Sequence, residues 1–351
     1  MQASPENCMS VFRAFYIFDI FSSDLEKKVM AKNKIKKHYS GIGGQAVLEG
    51  VMMKNEEKYA VAVRKPSGEI AVEVENFQGM LHGSKLLKFP FVRGVFNFIN
   101  SLVLGTKALN YSASFYEEDE ENTAVDKALD KISGGKGEKV LSALVTVISV
   151  ALAIGIFVVL PYFVSRYFEG FIRNHSLLLI IEGAIRIAIF LLYAAGISLM
   201  KDIRRLYQYH GAEHKCINCI ERGRELTVEN VMKSSRFHKR CGTSFIFFVL
   251  IVSIVLFFFI SVESVWQRVC LRVLLMPVVA GIAYEFIRLA GRFDNVFVNI
   301  LSAPGFLFQK ITTKEPDEEM VEVAIASVNA VFDWREYLSK TFGYTWDEEE
   351  A

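Results

Sequence analysis

Hydrophobic residues form short alternating runs in the first third of the chain and long unbroken runs later. Residues 140–165 carry no charged side chain. As a helix this stretch would be about 39 Å long, which exceeds the roughly 30 Å hydrocarbon core of a bilayer. Residues 176–200, 241–262 and 266–289 are also largely apolar. The pattern predicts a mainly α integral membrane protein with about four transmembrane helices.

Ionisable residues interrupt the second and fourth of these stretches. Glu182 and Arg186 are one helical turn apart and can pair, while Arg272 and Glu285 lie towards opposite ends of the fourth stretch. A charged side chain inside a bilayer is costly, so such residues face the bundle interior or line a pathway. We favour a structural ion pair for the first two, and a transport pathway remains the alternative.

A shorter period predicts β-structure near the N-terminus. Large apolar residues alternate with alanine or charged residues at 59–64 and again at 70–74, and Pro66-Ser67-Gly68 between them is a turn sequence. This pattern is typical of a β-hairpin with one buried face. We therefore expect a small N-terminal β-rich domain.

The glycine-rich segment before this hairpin resembles a phosphate-binding loop only superficially. Gly41-Ile42-Gly43-Gly44 precedes the apolar run 46–53, but no Gly-Lys-Ser/Thr follows, so a tight turn is favoured. Glu49 is the ionisable residue of that run. It could act as an acid beside a functional site, but a solvent-facing strand position is the better interpretation.

Charge predicts the orientation. Ten lysines and arginines lie within 201–240, whereas Arg166 and Arg173 are the basic residues between the first two apolar stretches. Positive residues stay on the cytoplasmic side, so this loop and, with four spans, both termini are expected in the cytoplasm of a plasma-membrane protein. The net charge of +1 argues against nucleic-acid binding, and five scattered cysteines fit a reducing compartment.

Together these patterns divide the chain into five parts. They are an N-terminal extension (1–40), a β-hairpin-containing cytoplasmic domain with an interfacial helix (41–115), an acidic linker (116–139), the transmembrane helices with a cytoplasmic motif loop at 201–242 (140–290), and a C-terminal part (291–351).

Two of these parts contain further amphipathic or apolar segments. Residues 89–109 have helical apolar spacing that suits either the membrane interface or the flank of a domain. Residues 296–308 are apolar but short and contain Pro304-Gly305, which predicts a re-entrant or interfacial segment. Asp317 and the acidic residues after it signal the start of a cytoplasmic helix that reaches about Phe332.

Candidate chemistry is concentrated at residues 210–214. His210, Glu213 and His214 have the spacing i, i+3, i+4, which places them on one face of a helix. In the His-x-x-Glu-His arrangement the two histidines bind zinc and the glutamate acts as general base on a metal-bound water. We therefore predict that His210 and His214 bind a divalent metal, with Glu213 as the catalytic base.

A third ligand is expected from His238 or Cys241, which form a His-x-x-Cys pair. Zinc accepts nitrogen and thiolate ligands, usually four in structural sites and three plus water in catalytic ones. One of these two residues would leave an open position and both would close the site, and the sequence leaves this choice open. Cys216 and Cys219 should point to other faces of the helix and remain free thiols.

Four separated motifs give the chain a resemblance to the bacterial YqhQ family, over about residues 40–330. The motifs occupy residues 43–53, 210–215, 240–245 and 303–316. The resemblance implies a metal-dependent, multi-pass membrane protein and names no reaction. The chain departs from the family's pattern at Lys239, where a proline is expected. Its segment before Gly41 is longer than expected, so Met30 is a candidate start.

The sequence is most consistent with a metal-dependent hydrolase at the membrane surface, with zinc as the expected cofactor. Membrane lipid, and either a membrane-associated protein or a lipid-linked substrate, are the expected partners, and a homo-oligomer is possible. The main alternative is a non-catalytic scaffold or binding protein with a structural zinc site. A metal or ion transporter ranks last, because histidine or aspartate clusters are missing from the apolar stretches.

Overall fold

Four antiparallel strands form a sheet in which neighbours in sequence are neighbours in space. In the computed structural model, residues 37–116, 137–172, 174–260, 264–293 and 296–346 are described. The strands are β1 (Gly43–Val47), β2 (Gly50–Asn55), β3 (Lys58–Arg64) and β4 (Ile70–Asn76). The predicted hairpin is therefore confirmed as β3 and β4, and two strands precede it.

The glycine-rich segment and Glu49 differ from their predictions. Gly41 has a φ of +84°, which fits a turn, but Gly43 and Gly44 lie in β1. Glu49 lies in the two-residue turn that joins β1 to β2, with a φ of +49°, so its assignment to a strand is wrong. Arg205 holds it there, with a distance of 2.5 Å between Nε and Oε1.

Eleven helices are described. They are α1 (Val92–Ala113), α2 (Gly137–Ile154), α3 (Leu160–Tyr167), α4 (His175–Ile197), α5 (Lys201–Glu221), α6 (Val228–Met232), α7 (Gly242–Phe258), α8 (Val265–Arg292), α9 (Val296–Thr312), α10 (Glu318–Val331) and α11 (Trp334–Phe342). A π-helical turn at Gly155–Val159 connects α2 to α3, and 3-10 turns occur at Lys85–Lys88 and Phe168–Gly170.

Helices cover both faces of the sheet, so the central strand β3 is buried on both sides. Ala60 and Ala62 face α5 and α10, whereas Val61 and Val63 face α1. The predicted single buried face is wrong for β3, and on β4 the residues Val72 and Val74 are exposed. Ile70 at the start of β4 packs against the core under the helices, but the helices do not cover Val72 and Val74.

Helix α5 is the centre of this unit. All residues at 209–221 are buried, although many are polar. Asp202 complements the dipole in the first turn, and Gly223, with a φ of +68°, follows the end of the helix. Gly211 permits a close approach, because a Cβ there would lie 2.0 Å from the carbonyl oxygen of Lys314. Strands and helices from distant parts of the chain therefore pack around α5.

Three helices are long and apolar enough to cross a membrane. They occupy Val147–Tyr167, Leu177–Ile197 and Cys270–Gly291. The remaining predicted span, residues 241–262, corresponds to α7, which has 17 residues and a length of about 26 Å. Three of the four predicted spans thus reach the required length in the described chain, and α7 is the shorter one.

The ionisable residues of these helices form two separate groups, one of three residues and one ion pair. Glu182 accepts a hydrogen bond from Arg186 at 2.8 Å and another from Arg272 of α8 at 2.5 Å. Glu285 pairs instead with Arg93 of α1, with 2.6 Å between Nε and Oε1. The predicted pair of Glu182 and Arg186 is confirmed, and Arg272 extends it into a link between two helices. The four residues considered as a transport pathway do not form one cluster.

The last two predicted segments are both helical. Helix α9 runs through Pro304 and Gly305 without interruption, and Gly305 lies against Ser244 of α7. Asp317 caps α10 by accepting a hydrogen bond from the N–H of Met320 at 2.9 Å, so the predicted helix start is confirmed. Most of the predicted N-terminal extension and of the acidic linker lies outside the described residues.

Candidate metal centre

Two histidines on one face of α5 present the same ring nitrogen to the same space. The rings of His210 and His214 lie 4.4 Å apart between centroids. His210 Nδ1 lies 2.9 Å from the carbonyl oxygen of Thr312, and His214 Nδ1 lies 2.6 Å from that of Arg236. A carbonyl oxygen only accepts, so each Nδ1 donates a proton to it, and each Nε2 is left to face the shared space. This is how backbone carbonyls orient histidine ligands of metals.

Cys241 completes a group of three ligands. Its Sγ lies 3.2 Å from His210 Nε2, and the ligand atoms of His210, His214 and Cys241 all lie within 4.8 Å of one another. Ligand atoms of a tetrahedral zinc site with two imidazoles and a thiolate are about 3.3–3.6 Å apart. A small closure of the group would therefore suit one zinc ion. All three residues are buried.

Electrostatics favours a thiolate in this group. Burial alone would raise the pKa of Cys241, but the imidazoles of His210 and His214 lower it well below its usual value. Burial alone would lower the pKa of His210, but the adjacent Cys241 raises it to about 9. The thiolate is the form that binds metals, and a metal ion would take the place of the imidazole proton.

Glu213 lies beside the three ligands and outside the group that they form. Its Oε2 is 3.8 Å from His210 Nε2. Burial raises the pKa of Glu213, and the two imidazoles and a hydrogen bond from the Gly44 backbone N–H partly oppose the rise. A carboxylate with a raised pKa near a metal position has the properties of a general base.

His238, the alternative third ligand, has a different partner. Its Nε2 lies 3.5 Å from Glu221 Oε2, and its ring centroid is 5.7 Å from that of His214. Burial, with a contribution from Lys37, lowers the pKa of His238 well below its usual value. In the described chain, the geometry therefore favours Cys241 over His238 as the third ligand.

The carboxylate of Glu221 is fully buried and surrounded by donors. Arg240 donates to it at 2.5 Å, Lys37 Nζ lies 3.1 Å away, and the Ser40 hydroxyl donates at 2.9 Å. Burial would raise the pKa of Glu221, but the hydrogen bond with His238 and the charges of Arg240 and Lys37 lower it below its usual value. This cluster fixes the end of α5 next to the segment that carries Cys241.

The end of α9 supplies supporting residues that sequence reasoning missed. Gln309 is fully buried and donates to the His238 carbonyl at 2.7 Å, while its Oε1 accepts from the His238 N–H at 2.9 Å. The Thr312 hydroxyl lies 3.1 Å from that of Thr243, which is 3.0 Å from Cys241 Sγ. These residues belong to the motifs of the family resemblance, but their spacing alone suggests no role.

Charged residues at the start of the next segment complete the support. Glu315 lies 2.8 Å from Lys215 and 3.2 Å from Arg236. Arg236 is the residue whose carbonyl orients His214. Cys216 and Cys219 point into the hydrophobic core around α5 and are free, as the helical spacing predicts.

Comparison with known proteins places this geometry in a family context. A family model described as "Protein of unknown function (DUF1385)" matches residues 89–334. The chain is 36% identical over 305 residues to "Uncharacterized protein YqhQ" of Bacillus subtilis (strain 168). These residues make up 86% of this chain and 94% of that protein. No solved structure matches the chain.

Proposed function

We propose that this chain, which belongs to the DUF1385 family together with the YqhQ protein of Bacillus subtilis, is a metal-dependent hydrolase that works at a membrane surface. Its metal would be a divalent ion, zinc, held by His210, His214 and Cys241. Glu213 would be the general base.

One observation carries the proposal: three ligand atoms converge, and a carboxylate lies next to them. Structural zinc sites usually have four protein ligands, whereas catalytic sites have three and leave one position open. His238, which would close the shell, is directed towards Glu221. The arrangement therefore supports a catalytic site better than a structural one.

A zinc ion bound here would supply Lewis-acid chemistry that polarises an oxygen atom and lowers the pKa of water. The residues of the chain would supply the remaining steps. Glu213 would take a proton from the attacking water and deliver it to the leaving group. The carbonyls of Thr312 and Arg236 would keep both imidazoles in the required tautomer.

The proposed setting is the cytoplasmic face of the plasma membrane. Cys241 immediately precedes the apolar helix α7, and Thr312 ends the apolar helix α9, so the ligand group lies at the ends of these helices. The ten basic residues at 201–240 favour the cytoplasmic side. A substrate at the membrane surface, protein or lipid-linked, would reach the site from there.

Burial supports a second candidate function, a non-catalytic scaffold with a structural zinc site. His214 is 1% exposed and Cys241 is 3% exposed. Water-excluded ligands are also expected where a metal only joins segments of a fold. In that case a rotation of His238 would complete a four-ligand shell.

Glu213→Gln separates the two functions. If Glu213 is the base, zinc per protein stays at the parent's level while turnover falls by about 10² to 10⁴, so the variant fails to complement a strain that lacks the gene. The matched control is Glu229→Gln, because Glu229 is exposed and pairs with Lys233 on the surface. Full complementation with full zinc would eliminate the hydrolase and favour the scaffold. Loss of zinc would make Glu213 a ligand.

A further inference from the structure

Helix α1 packs against two different parts of the molecule. Its C-terminal half lies on the sheet, where Leu104 and Ala108 are buried against the strands. Its N-terminal half lies on α8, where Asn97 donates a hydrogen bond to the Tyr284 hydroxyl at 2.7 Å. Helix α8 contains Cys270–Gly291, one of the stretches long and apolar enough to cross a membrane. Helix α1 therefore connects the sheet unit with the side of a candidate membrane span.

Close contacts between α1 and α8 define how far α1 extends along the span. A Cβ on Gly94 would lie 2.9 Å from Tyr284 Cβ and 3.0 Å from Gly281 Cα, so the two helices approach closely. A Cβ on Gly281 would lie 2.8 Å from the Phe91 carbonyl oxygen. Gly281 precedes Gly291, the end of the span, by about 15 Å of helix. The start of α1 therefore lies near the middle of a hydrocarbon core of roughly 30 Å.

The chain reaches this position and leaves it from the same side. After β4, Phe77 still packs against the residues that cover the sheet. The Met80 N–H then donates to the Asn100 side chain at 2.8 Å, so residue 80 lies beside the middle of α1. The chain turns at Phe91, which has a φ of +67°, and α1 carries it back to the sheet. Residues 79–103 therefore form a hairpin whose closed end is at Phe91.

The outer surface of this hairpin is apolar. Its first arm exposes five large hydrophobic side chains, which are Met80, Leu81, Leu86, Phe89 and Phe91. Exposed apolar residues that lie close together mark sites of protein or membrane contact. Because the closed end of the hairpin packs at the middle of α8, this surface is continuous with the exposed side of that helix. A bilayer around α8 would therefore also cover the hairpin.

The charge of the segment suits a phospholipid surface. No acidic residue occurs at 77–116, whereas Lys85 and Lys88 are exposed among the apolar side chains of the first arm. A lysine can keep its methylene groups on apolar surface while its ammonium group reaches the lipid phosphates. Arg93, nearer the closed end, forms an ion pair with Glu285 of α8. The charges of the hairpin are thus either paired with α8 or placed to reach the headgroups.

We propose that residues 79–103 are a re-entrant hairpin that inserts into the bilayer leaflet on the side of the candidate metal centre. Non-helical backbone is tolerated at membrane depth where it packs on protein, as the closed end does on α8. The hairpin also fixes the position of the sheet. A Cβ on Gly105 of α1 would lie 2.5 Å from Gln45 Oε1, and the adjacent Gly44 contacts Glu213. The proposal requires that α8 spans a bilayer and is independent of the metal chemistry.

An environment-sensitive fluorophore on single cysteines tests the proposal in the full chain, reconstituted into vesicles of equal parts phosphatidylcholine and phosphatidylglycerol. The background carries Cys8→Ser and Cys270→Ser, because the remaining three cysteines are buried. Phe89→Cys reports on the hairpin, Val278→Cys on α8 and Val72→Cys on the sheet, and all three positions are exposed apolar residues. We expect the labels at 89 and 278 to emit at shorter wavelength than the label at 72. Nitroxide on the acyl chains should quench both more strongly than nitroxide on the headgroups.

Three outcomes would overturn the proposal. If the label at 278 is quenched by acyl-chain nitroxide while the label at 89 emits as in water, the hairpin lies outside the bilayer. If the label at 89 is shielded from water but is not quenched by lipid nitroxides, another protein surface covers it. If the label at 278 also emits as in water, α8 does not span the bilayer and the hairpin proposal fails with it. Leu86→Cys, in the same arm, repeats the measurement should Phe89→Cys fold poorly.

Discussion

Replacement of Gln309 by leucine tests whether the end of α9 organises the metal centre. The amide of Gln309 makes three hydrogen bonds, two with the backbone of His238 and one, at 2.7 Å, with the Ser244 hydroxyl. Leucine makes none of them. The Ser244 hydroxyl keeps the Gly305 carbonyl as an acceptor at 3.4 Å, so two buried backbone groups are left unsatisfied.

Each unsatisfied buried group costs about 1–3 kcal/mol, so Gln309→Leu should destabilise the protein by about 2–6 kcal/mol. For a protein of this size that corresponds to a fall in Tm of about 3–8 °C. Cys241 lies three residues after His238, so zinc affinity should also fall, by about 10- to 100-fold as for other residues that support metal ligands.

The measurements are thermal unfolding in detergent and zinc titration against a competing chelator. Gln208→Leu is the matched control, because Gln208 makes one exposed hydrogen bond to the Glu315 carbonyl at 3.1 Å. It should change Tm by less than about 2 °C. A fall in Tm below about 2 °C for Gln309→Leu, or unchanged zinc affinity, would refute the argument that this amide supports the site.

Three further predictions follow from the placement of cysteines and a buried carboxylate. Alanine at both Cys216 and Cys219 should leave zinc per protein unchanged, and loss of zinc would mean that the ligand set is wrong. The pKa of Glu221 is lower in the folded state than its unfolded value of about 4.3, so its contribution to stability is present above that pH and is lost as the pH falls. Thermal unfolding of Glu221→Gln should therefore show a weaker acid dependence than the parent. In a Cys8→Ser background, exposed Cys270 should react with an impermeant maleimide outside intact cells, and labelling only in opened cells would reverse the topology.

Helical spacing was sufficient to predict which residues of α5 share one face. His210, Glu213 and His214 share a face because the period of an α-helix is 3.6 residues, and that relation is local. The same argument placed Cys216 and Cys219 on other faces of the helix and so excluded them from the ligand set. The third ligand could not be settled, because His238 and Cys241 lie outside α5 and their positions depend on how α7 and α9 pack against it.

The contacts that orient the ligand residues could not be predicted from the sequence, for a more general reason. The groups that orient the two histidines are the carbonyls of Thr312 and Arg236, and any residue type can offer a carbonyl. Gln309 likewise has no local pattern that separates it from a surface glutamine. Such roles arise from packing between distant segments, which periodicity within a single segment does not encode.

The fold was predictable where one side of an element is apolar and the other polar. Helix α10 satisfies this condition and was found. The hairpin was found from the alternation of large residues with small or polar ones, although β3 is buried on both faces. The sequences of β1 and β2 do not alternate between apolar and polar residues, because β2 is packed on both faces and β1 begins with two glycines. Helix α5 is buried along residues 209–221 in spite of its polar sequence, since its polar side chains form ion pairs and hydrogen bonds while its apolar ones pack into the core.

The motifs that resemble the YqhQ family are explained by a common meeting point on α5. Gly44 of β1 contacts Glu213, Cys241 lies 3.2 Å from His210, and the Thr312 carbonyl accepts the proton of the same ring. Two of these contacts come from the ends of apolar helices and one comes from the sheet. His210, His214 and Cys241 therefore come together only where the sheet unit packs on those helices, which places the candidate metal centre at the boundary between the two.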